Sequence, residues 1–408
     1  MVDARPHLLF LCHRIPYPPE KGDKIRSYHW WAALVERFHV HLGAFIDDPA
    51  DWVHVEKLRA QCASSLFVPL PRTTALLRSL SGLWRGTALT LPYYRDASMT
   101  RWVEAQRKTN DIGHVLVFSS AMGQYVEDGC WWRARRVIDF VDVDSDKWGQ
   151  YAQTRPWPAN RVYRREALRL AQAEEGLART FAASLFVSEP EAALFRSRVA
   201  GLGERVHAIR NGVDTAYFRP TAGCASPFPV DCEPVVFTGA MDYWANVDAV
   251  LWFIREVWPR VRAQRPRALF AIVGSRPSPA LEALGCGDIV VTGRVPDVRP
   301  YLQAAGAVVA PMRVARGIQN KVLEGMAMAK PVVVTSKALE GIGAVPQRDL
   351  LLADEPGAFA DAILAVLGAG GEGLGLRARC FVEREYDWAV STQQLMALLL
   401  GRERVAPA

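Results

Sequence analysis

Short apolar runs alternate with helix-like segments along the whole chain. This alternation is typical of parallel sheets with helices on both faces, and it predicts an α/β fold. In such folds, ligands bind at the carboxyl ends of the strands. The predicted strands span residues 7–12, 40–46, 66–70, 114–119, 136–141, 183–187, 206–209, 234–238, 268–273, 289–292, 307–310, 331–334 and 350–353.

The chain of 408 residues is too long for one ordinary core, so we expect two domains. Residues 219–229 are rich in proline and small residues, which continue neither a helix nor a strand. The interpretation is an N-terminal domain over 1–217, a linker over 218–233 and a C-terminal domain over 234–385. We predict two Rossmann-like domains that face each other across a cleft.

Composition argues against several classes of protein. The seven cysteines are scattered without a C-x-x-C pair, so disulfides and structural zinc are not expected. No apolar run approaches the roughly 18 to 20 residues that span a bilayer. A strand-like segment stands near residue 7 in place of a signal peptide, and a cytoplasmic location is expected.

The segment from Arg313 to Thr335 carries the strongest indication of a ligand. A helix that opens near Gln319 would point its free N–H groups toward the space above the sheet, as in diphosphate sites. Lys321 would neutralise phosphate charge, and Glu324 would accept hydrogen bonds from ribose hydroxyls. The alternative is a surface salt bridge between these two side chains.

Other strand ends of the second half carry polar or glycine-containing loops. They follow the predicted strands at Gly239, at Gly274 and at Arg294–Val295. Arg313 and Arg316 add positive charge suited to a diphosphate. Because the loops lie at one edge of a parallel sheet, we expect them to converge.

A similar loop follows the first strand. Gly22 would allow the backbone to approach an anion closely, next to Asp23, and Lys24 and Arg26 would add charge at the first turn of a helix. The alternative is an exposed basic loop without a ligand. The glycine-containing pattern is also found in loops that bind nothing.

Residues 139–148 end a strand and contain two overlapping D-x-D patterns, with Asp142, Asp144 and Asp146. Such carboxylates can contact a sugar or polarise an acceptor, which is the first interpretation. Helix capping by aspartate is the second and a divalent metal the third.

The stretch from Arg72 to Lys108 holds seven basic and two acidic residues among leucine, tryptophan and tyrosine. This mixture suits contact with a membrane surface. The alternative is an ordinary helix that packs by its leucine face. A nucleic-acid partner is not expected, because the excess of charge is small and no binding motif accompanies it.

Together these residues resemble the retaining glycosyltransferases of family 4, which have the GT-B fold. The likeness covers most of the chain, including Pro18–Gly22, Asn211–Asp214, Gly239, Gly293 and Glu324–Pro331. More narrowly, residues 14–19, 139–148 and 317–324 look like the sugar transferases encoded with exosortase and PEP-CTERM systems. That resemblance implies exopolysaccharide biosynthesis, a lipid-linked or polysaccharide acceptor, and a peripheral place on the inner membrane.

The resemblance implies transfer of a hexose from a nucleoside diphosphate sugar with retention, without a metal or another cofactor. By analogy, residues 386–408 would form a helix that returns to the N-terminal domain. The predicted catalytic residues are Asp142, Asp144 and Arg316. The predicted nucleotide-sugar-binding residues are Gly22, Asp23, Gly239, Arg294, Val295, Arg313, Gly317, Asn320, Lys321 and Glu324.

Departures from the family pattern leave alternatives open. Arg316 stands where the family commonly has a glutamate, and Ala240 and Ala245 stand where it commonly has an arginine and a lysine. One alternative is a GT-B nucleotide-sugar epimerase, which needs no acceptor groove. Another is a scaffold without catalytic activity that binds sugar or lipid in a polysaccharide complex.

Overall fold

The structure is a computed structural model that describes residues 5–19, 22–285, 287–315, 318–367 and 370–402. The chain divides into two units, one formed by residues up to Arg210 and from Ser391 onward, the other by Asn211–Val390. The division differs from the predicted boundaries at 217 and 386. The backbone N–H of Val213 donates to the Tyr386 carbonyl at 2.7 Å, which joins the two ends of the second unit.

Seven parallel strands form the sheet of the first unit. They are β1 His7–Cys12, β2 His39–Ile46, β3 Ser64–Pro69, β4 Ile112–Phe118, β5 Arg135–Val141, β6 Ala183–Phe186 and β7 Val206–Ala208. Their order is β3-β2-β1-β4-β5-β6-β7. The direction of winding reverses between β1 and β4, so a ligand crevice is expected at the carboxyl ends of these two strands.

Helices supply the crossovers that parallel strands require. Those of the first unit are α1 Gly22–Arg37, α2 Val55–Arg59, α3 Arg72–Ser79, α4 Ser81–Trp84, α5 Thr90–Tyr93, α6 Ala97–Thr109, α7 Asp144–Thr154, α8 Ala159–Thr180 and α9 Glu189–Arg198.

The second unit repeats this plan with six parallel strands. They are β8 Glu233–Thr238, β9 Ala268–Val273, β10 Ile289–Gly293, β11 Ala307–Ala310, β12 Val332–Val334 and β13 Leu351–Leu352. Their order is β10-β9-β8-β11-β12-β13. Here the winding reverses between β8 and β11.

The helices of the second unit are α10 Trp244–Trp252, α11 Trp258–Gln264, α12 Pro279–Glu282, α13 Arg299–Ala304, α14 Asn320–Ala327, α15 Ser336–Leu339, α16 Pro356–Val366 and α17 Glu372–Glu385. Helix α18, Trp388–Leu400, ends within the first unit, where the Leu399 carbonyl lies 3.0 Å from His114 Nδ1. No helix in the described ranges is long and apolar enough to cross a membrane.

The predicted strands are confirmed, with ends that shift by one or two residues. The prediction succeeded because strands buried on both faces are mostly apolar. All six residues of β9 are buried, for example.

Helices α3 and α4 expose the leucines that the packed-helix alternative would bury. Leu77 is 70% exposed and Trp84 is 88% exposed, and Leu76, Leu80 and Leu83 are exposed as well. The small residues Ala75 and Ser79 form the buried side of α3 instead. The alternative of a helix that packs by its leucine face is therefore wrong.

Helix α17 begins at Glu372, within a glycine-rich part of the sequence. Gly375 lies on the buried side of this helix. A Cβ atom at Gly375 would stand 2.1 Å from the carbonyl oxygen of Ala329, just beyond the end of α14. The glycine permits the helix to approach that backbone closely.

We predict that Gly375→Ala destabilises the protein by about 1–3 kcal/mol, because the added methyl group overlaps backbone that cannot move aside. Gly373→Ala is the matched control in the same helix. Its Cβ atom would meet only Arg377 Nη1, at 3.5 Å. The control should gain up to about 1 kcal/mol of helix propensity. Chemical denaturation measures both variants, and equal stability of the two would contradict the packing argument.

Candidate functional site

The turns after β8 and β9 pack backbone against backbone. A Cβ atom at Gly274 would lie 1.8 Å from the carbonyl oxygen of Gly239, so no larger residue fits there without a shift. The backbone N–H of Met241 donates to the carbonyl oxygen of Ser275 at 2.8 Å. The two turns therefore form one fixed surface at the carboxyl edge of the sheet.

The ammonium group of Lys321 lies at this surface. Lys321 is in the first turn of α14 and only 9% exposed. Its Nζ donates to Asn246 Oδ1 at 2.6 Å, and it would stand 3.2 Å from a Cβ atom at Gly239. It also lies 3.8 Å from the sulfur of Met312, which follows β11. The loops that follow β8 and β11 therefore meet at the ammonium group of Lys321.

Asn246 is a residue that the sequence interpretation did not single out. Its amide nitrogen donates to the Ala240 carbonyl at 2.8 Å, while its amide oxygen accepts from Lys321. Asn246 therefore joins the turn after β8 to α14. The hydroxyl of Thr238, at the end of β8, is buried and has no hydrogen-bond partner among the described residues.

Glu324 lies one turn after Lys321 and is half-buried. Burial raises the pKa of Glu324, which the charge of Lys321 opposes. Burial lowers the pKa of Lys321, which Glu324 opposes. The alternative of a surface salt bridge is wrong, because Lys321 is buried and its ammonium group binds Asn246.

The remaining predicted residues of this unit differ in their surroundings. Asn320 begins α14 and is half-buried, whereas Arg313 is exposed and pairs with Asp248, with Nε 3.0 Å from Oδ2. Arg294 and Val295 directly follow β10, two strands away from β8. Val295 packs against the core. Arg316 and Gly317 lie outside the described residues.

In the first unit, the basic residues Lys24 and Arg26 near the start of α1 pair with carboxylates inside the protein. Arg26 is fully buried, and its Nε donates to Asp139 Oδ2 at 2.7 Å. Lys24 is also buried, and its Nζ lies 2.5 Å from Asp51 Oδ2. The expectation that Lys24 and Arg26 offer charge to a ligand is wrong, because buried cations require partners and these have them.

Gly22 begins α1, and Asp23 lies in its first turn. Asp23 Oδ2 accepts from Arg14 Nη1 at 2.9 Å and lies 3.5 Å from His13 Nε2. Burial alone would raise the pKa of Asp23, but His13 and Arg14 outweigh it and hold this pKa well below its usual range. Asp23 is therefore an ionised carboxylate that orients its two neighbours.

His13 is a second residue that the sequence interpretation missed. It directly follows β1, and its ring stacks on Phe118 at the end of β4, with centroids 5.7 Å apart. It therefore lies at the strand reversal of the first sheet. The sequence offered one indication of this role, because His13 directly follows a predicted buried strand.

Asp142 follows β5 and Asp144 begins α7. Burial raises the pKa of both carboxyl groups, and Lys147 partly opposes it. The helix-capping alternative is wrong, because Val143 is the N-cap residue and no side chain caps the helix from that position. Within the described residues, no group of three or more His, Cys, Asp or Glu is arranged to hold a metal ion.

Two glutamates hold the backbone on either side of Asp144. Glu191 of α9 accepts from the N–H of Val143 at 2.8 Å. Glu174 of α8 accepts from the N–H of Ser145 at 3.1 Å and from its hydroxyl at 2.5 Å. Helix α8 is rich in charged residues, yet Glu174 is buried. The sequence interpretation missed both roles.

Comparison with known proteins agrees with this architecture. Residues 233–369 match the family model described as glycosyl transferases group 1. A comparison with curated proteins gives no match.

Several solved structures share the fold over nearly the whole chain. Sucrose-phosphate synthase from Thermosynechococcus elongatus has a TM-score of 0.67 at 19% identity, with 97% of this chain and 99% of that chain covered. Anabaena HepE in complex with UDP has a TM-score of 0.65 at 15% identity, with 97% and 100% covered. The lipopolysaccharide outer core galactosyltransferase WaaB has a TM-score of 0.58 at 11% identity, with 97% and 99% covered. The predicted α/β fold with two Rossmann-like domains of the GT-B type is thereby confirmed.

We predict that Glu174 makes stability fall as pH rises. Burial raises the pKa of Glu174 from 4.5 to about 8. Between these values the folded state keeps a proton that the unfolded state has released, so stability is lost as pH increases through this range. Glu174→Gln keeps an oxygen for Ser145 but cannot ionise. At pH 8 we expect it to be more stable than the wild type by roughly 4 kcal/mol, and at pH 4.5 the difference should nearly disappear.

Urea denaturation across this pH range measures the effect. Glu175→Gln is the control, because the neighbouring Glu175 pairs with Arg179 in an exposed position. If the free energy of unfolding changes with pH in the same way in the wild type and in Glu174→Gln, Glu174 does not have a raised pKa.

Proposed function

We propose that this protein is a retaining glycosyltransferase that moves a hexose from a nucleoside diphosphate sugar to a lipid-linked or polysaccharide acceptor. The observation that supports it most is the buried ammonium group of Lys321 beside the joined turns of Gly239 and Gly274, within the segment that matches the glycosyl transferase model. Structures of HepE, which share the fold, contain UDP and UDP-glucose.

In this proposal the diphosphate binds at the start of α14. Lys321 supplies positive charge, and the first N–H groups of the helix add hydrogen bonds. The group that accepts a hydrogen bond from Lys321 is the neutral amide of Asn246 and not a carboxylate, so the ammonium group can still attract an anion. Arg313 and Arg316 would contribute further charge. Glu324, once ionised, would accept hydrogen bonds from the ribose hydroxyls.

Catalysis then needs no dedicated nucleophile. The acceptor oxygen attacks the anomeric carbon on the face that the diphosphate leaves, and the leaving group takes the electron pair of the broken bond. The proton passes to the leaving diphosphate, with Asp142 or Asp144 in contact with the acceptor hydroxyl. As a hydrogen-bond acceptor, such a carboxylate would orient that hydroxyl while its proton passes to the diphosphate. Metal ions would not be required.

The exposed apolar face of α3 and α4 supports the membrane part of the proposal. From Lys57 to Arg95 the chain has six basic residues and no acidic one. Leucine and tryptophan side chains would enter the interfacial region while arginines contact anionic head groups. We propose a peripheral location on the inner membrane, in exopolysaccharide biosynthesis as in the PEP-CTERM systems.

A thermal-shift series with UDP, GDP, ADP and their sugar conjugates tests the donor site. One nucleotide should stabilise the wild type, by about 2.7 kcal/mol at a hundredfold excess over its Kd. Glu324→Ala should abolish this shift, because the ribose loses its acceptor. Glu340→Ala, which removes an exposed carboxylate paired with Lys337, should keep it. If no nucleotide shifts the melting temperature, the scaffold without catalytic activity is favoured. The same conclusion follows if incubation with sugar nucleotides releases no nucleoside diphosphate.

Flotation with vesicles tests the membrane contact. The wild type should bind vesicles that contain anionic lipid, and less so at high salt. Leu77→Ser with Trp84→Ser should weaken binding at least about tenfold, because two apolar side chains no longer leave water. The control pair is Leu168→Ser with Trp157→Ser, at two other exposed positions. If both double variants lose vesicle binding equally, the exposed face of α3 and α4 is not a specific membrane contact.

A further inference from the structure

A cavity of about 480 Å³ opens at the amino ends of β5 and β6 in the first unit. Four arginines line it: Arg133, Arg135, Arg136 and Arg205. Strand β5 separates this cavity from Asp142 and Asp144, which follow its other end. Seven residues of strand correspond to roughly 20 Å, so the cavity is distinct from the predicted catalytic carboxylates.

The four guanidinium groups have no carboxylate within 4.0 Å among the residues that the structure describes. Three of them donate hydrogen bonds to backbone carbonyl groups. Arg135 Nε donates to Leu398 at 2.6 Å, Arg136 Nη1 to Val126 at 2.7 Å, and Arg205 Nη1 to Arg179 at 3.4 Å. Carbonyl oxygens satisfy N–H groups but do not neutralise charge. Among the described residues, these four positive charges therefore share one cavity without a carboxylate in contact.

The surroundings of Arg136 agree with this lack of neutralisation. Burial lowers the pKa of Arg136, and the more distant charges of Asp128 and Glu127 oppose this only in part. At the rim, the guanidinium group of Arg133 lies over the ring of Trp132, at 4.8 Å from the ring centroid. Trp132 is 73% exposed, so the pair forms an accessible wall of the cavity.

We propose that this cavity is a second binding site, for a phosphate-bearing ligand. Guanidinium groups bind phosphate through paired N–H donors, and several of them around one cavity suit a group with many charged oxygens better than a single carboxylate. The volume exceeds that of one phosphate and lies in the range of ordinary ligand pockets. A diphosphate or a phosphate ester fits this description. The site is independent of the proposed donor site on the second unit.

Calorimetric titration of the full chain with inorganic pyrophosphate at low ionic strength tests the proposal. The variant Arg133→Ala with Arg205→Ala removes two exposed cations of the cavity. Its Kd should rise at least about tenfold. The matched control is Arg161→Ala with Arg164→Ala, two exposed arginines of α8. The control should bind as the wild type does.

Three results would overturn the proposal: no binding to the wild type, equal loss in the two double variants, or loss in Lys321→Met without loss in the cavity variant. The last result would assign pyrophosphate to α14 instead. If Lys321→Met still binds pyrophosphate, the result supports the cavity. The test then does not depend on the proposed donor site.

Vesicles containing phosphatidylglycerol distinguish the source of the phosphate. If the cavity variant also loses vesicle binding and pyrophosphate competes with the vesicles, a lipid head group occupies the site. If vesicle binding is unchanged while pyrophosphate binding is lost, the ligand is a soluble phosphate compound. Both outcomes support the site.

Discussion

The ion pair between Arg26 and Asp139 positions the carboxyl edge of the first sheet. Both side chains are fully buried, and Trp30 Nε1 donates to the same Asp139 oxygen at 2.7 Å. Arg26 Nη1 also donates to the carbonyl oxygen of Ile209 at 2.8 Å. One guanidinium group thus ties α1, β5 and the end of the first unit's main segment together. Loss of either partner would leave a buried charge unpaired, which costs about 3–5 kcal/mol in other proteins.

This pair also governs the backbone that leads to Asp142 and Asp144. Asp139 Oδ1 accepts from the N–H of Val141 at 3.1 Å, and Val141 adopts a φ of 71°, which β-branched residues rarely do. The chain therefore leaves β5 in a defined direction. Glu191 and Glu174 then hold the next amide groups. The predicted catalytic carboxylates stand on a segment that three acidic side chains position.

The cations in the first turns of α1 and of α14 have different partners. In the first unit Arg26 and Lys24 face carboxylates, so their charge is neutralised within the protein. In the second unit Lys321 faces the neutral amide of Asn246, so its charge remains available to an anion. This difference supports placing the donor diphosphate on the second unit. The same criterion is that a cation without a carboxylate partner can bind an anion. It also identifies the arginine cavity at the amino end of β5.

The sequence by itself determined the α/β class and the positions of the strands, and it predicted that Lys321 and Glu324 lie near the start of a helix. These depend on local patterns. A strand buried on both faces is mostly apolar, and the start of a helix after a strand can be recognised from neighbouring residues alone. The same local reasoning failed for Arg26 and Lys24, whose sequence neighbours indicate an exposed loop. Only the tertiary structure decided that they are buried and neutralised. It also decided the roles of Asn246, Glu174 and Glu191, because each partner lies 29 or more residues away in the chain and only the packing of helices on the sheet brings them together.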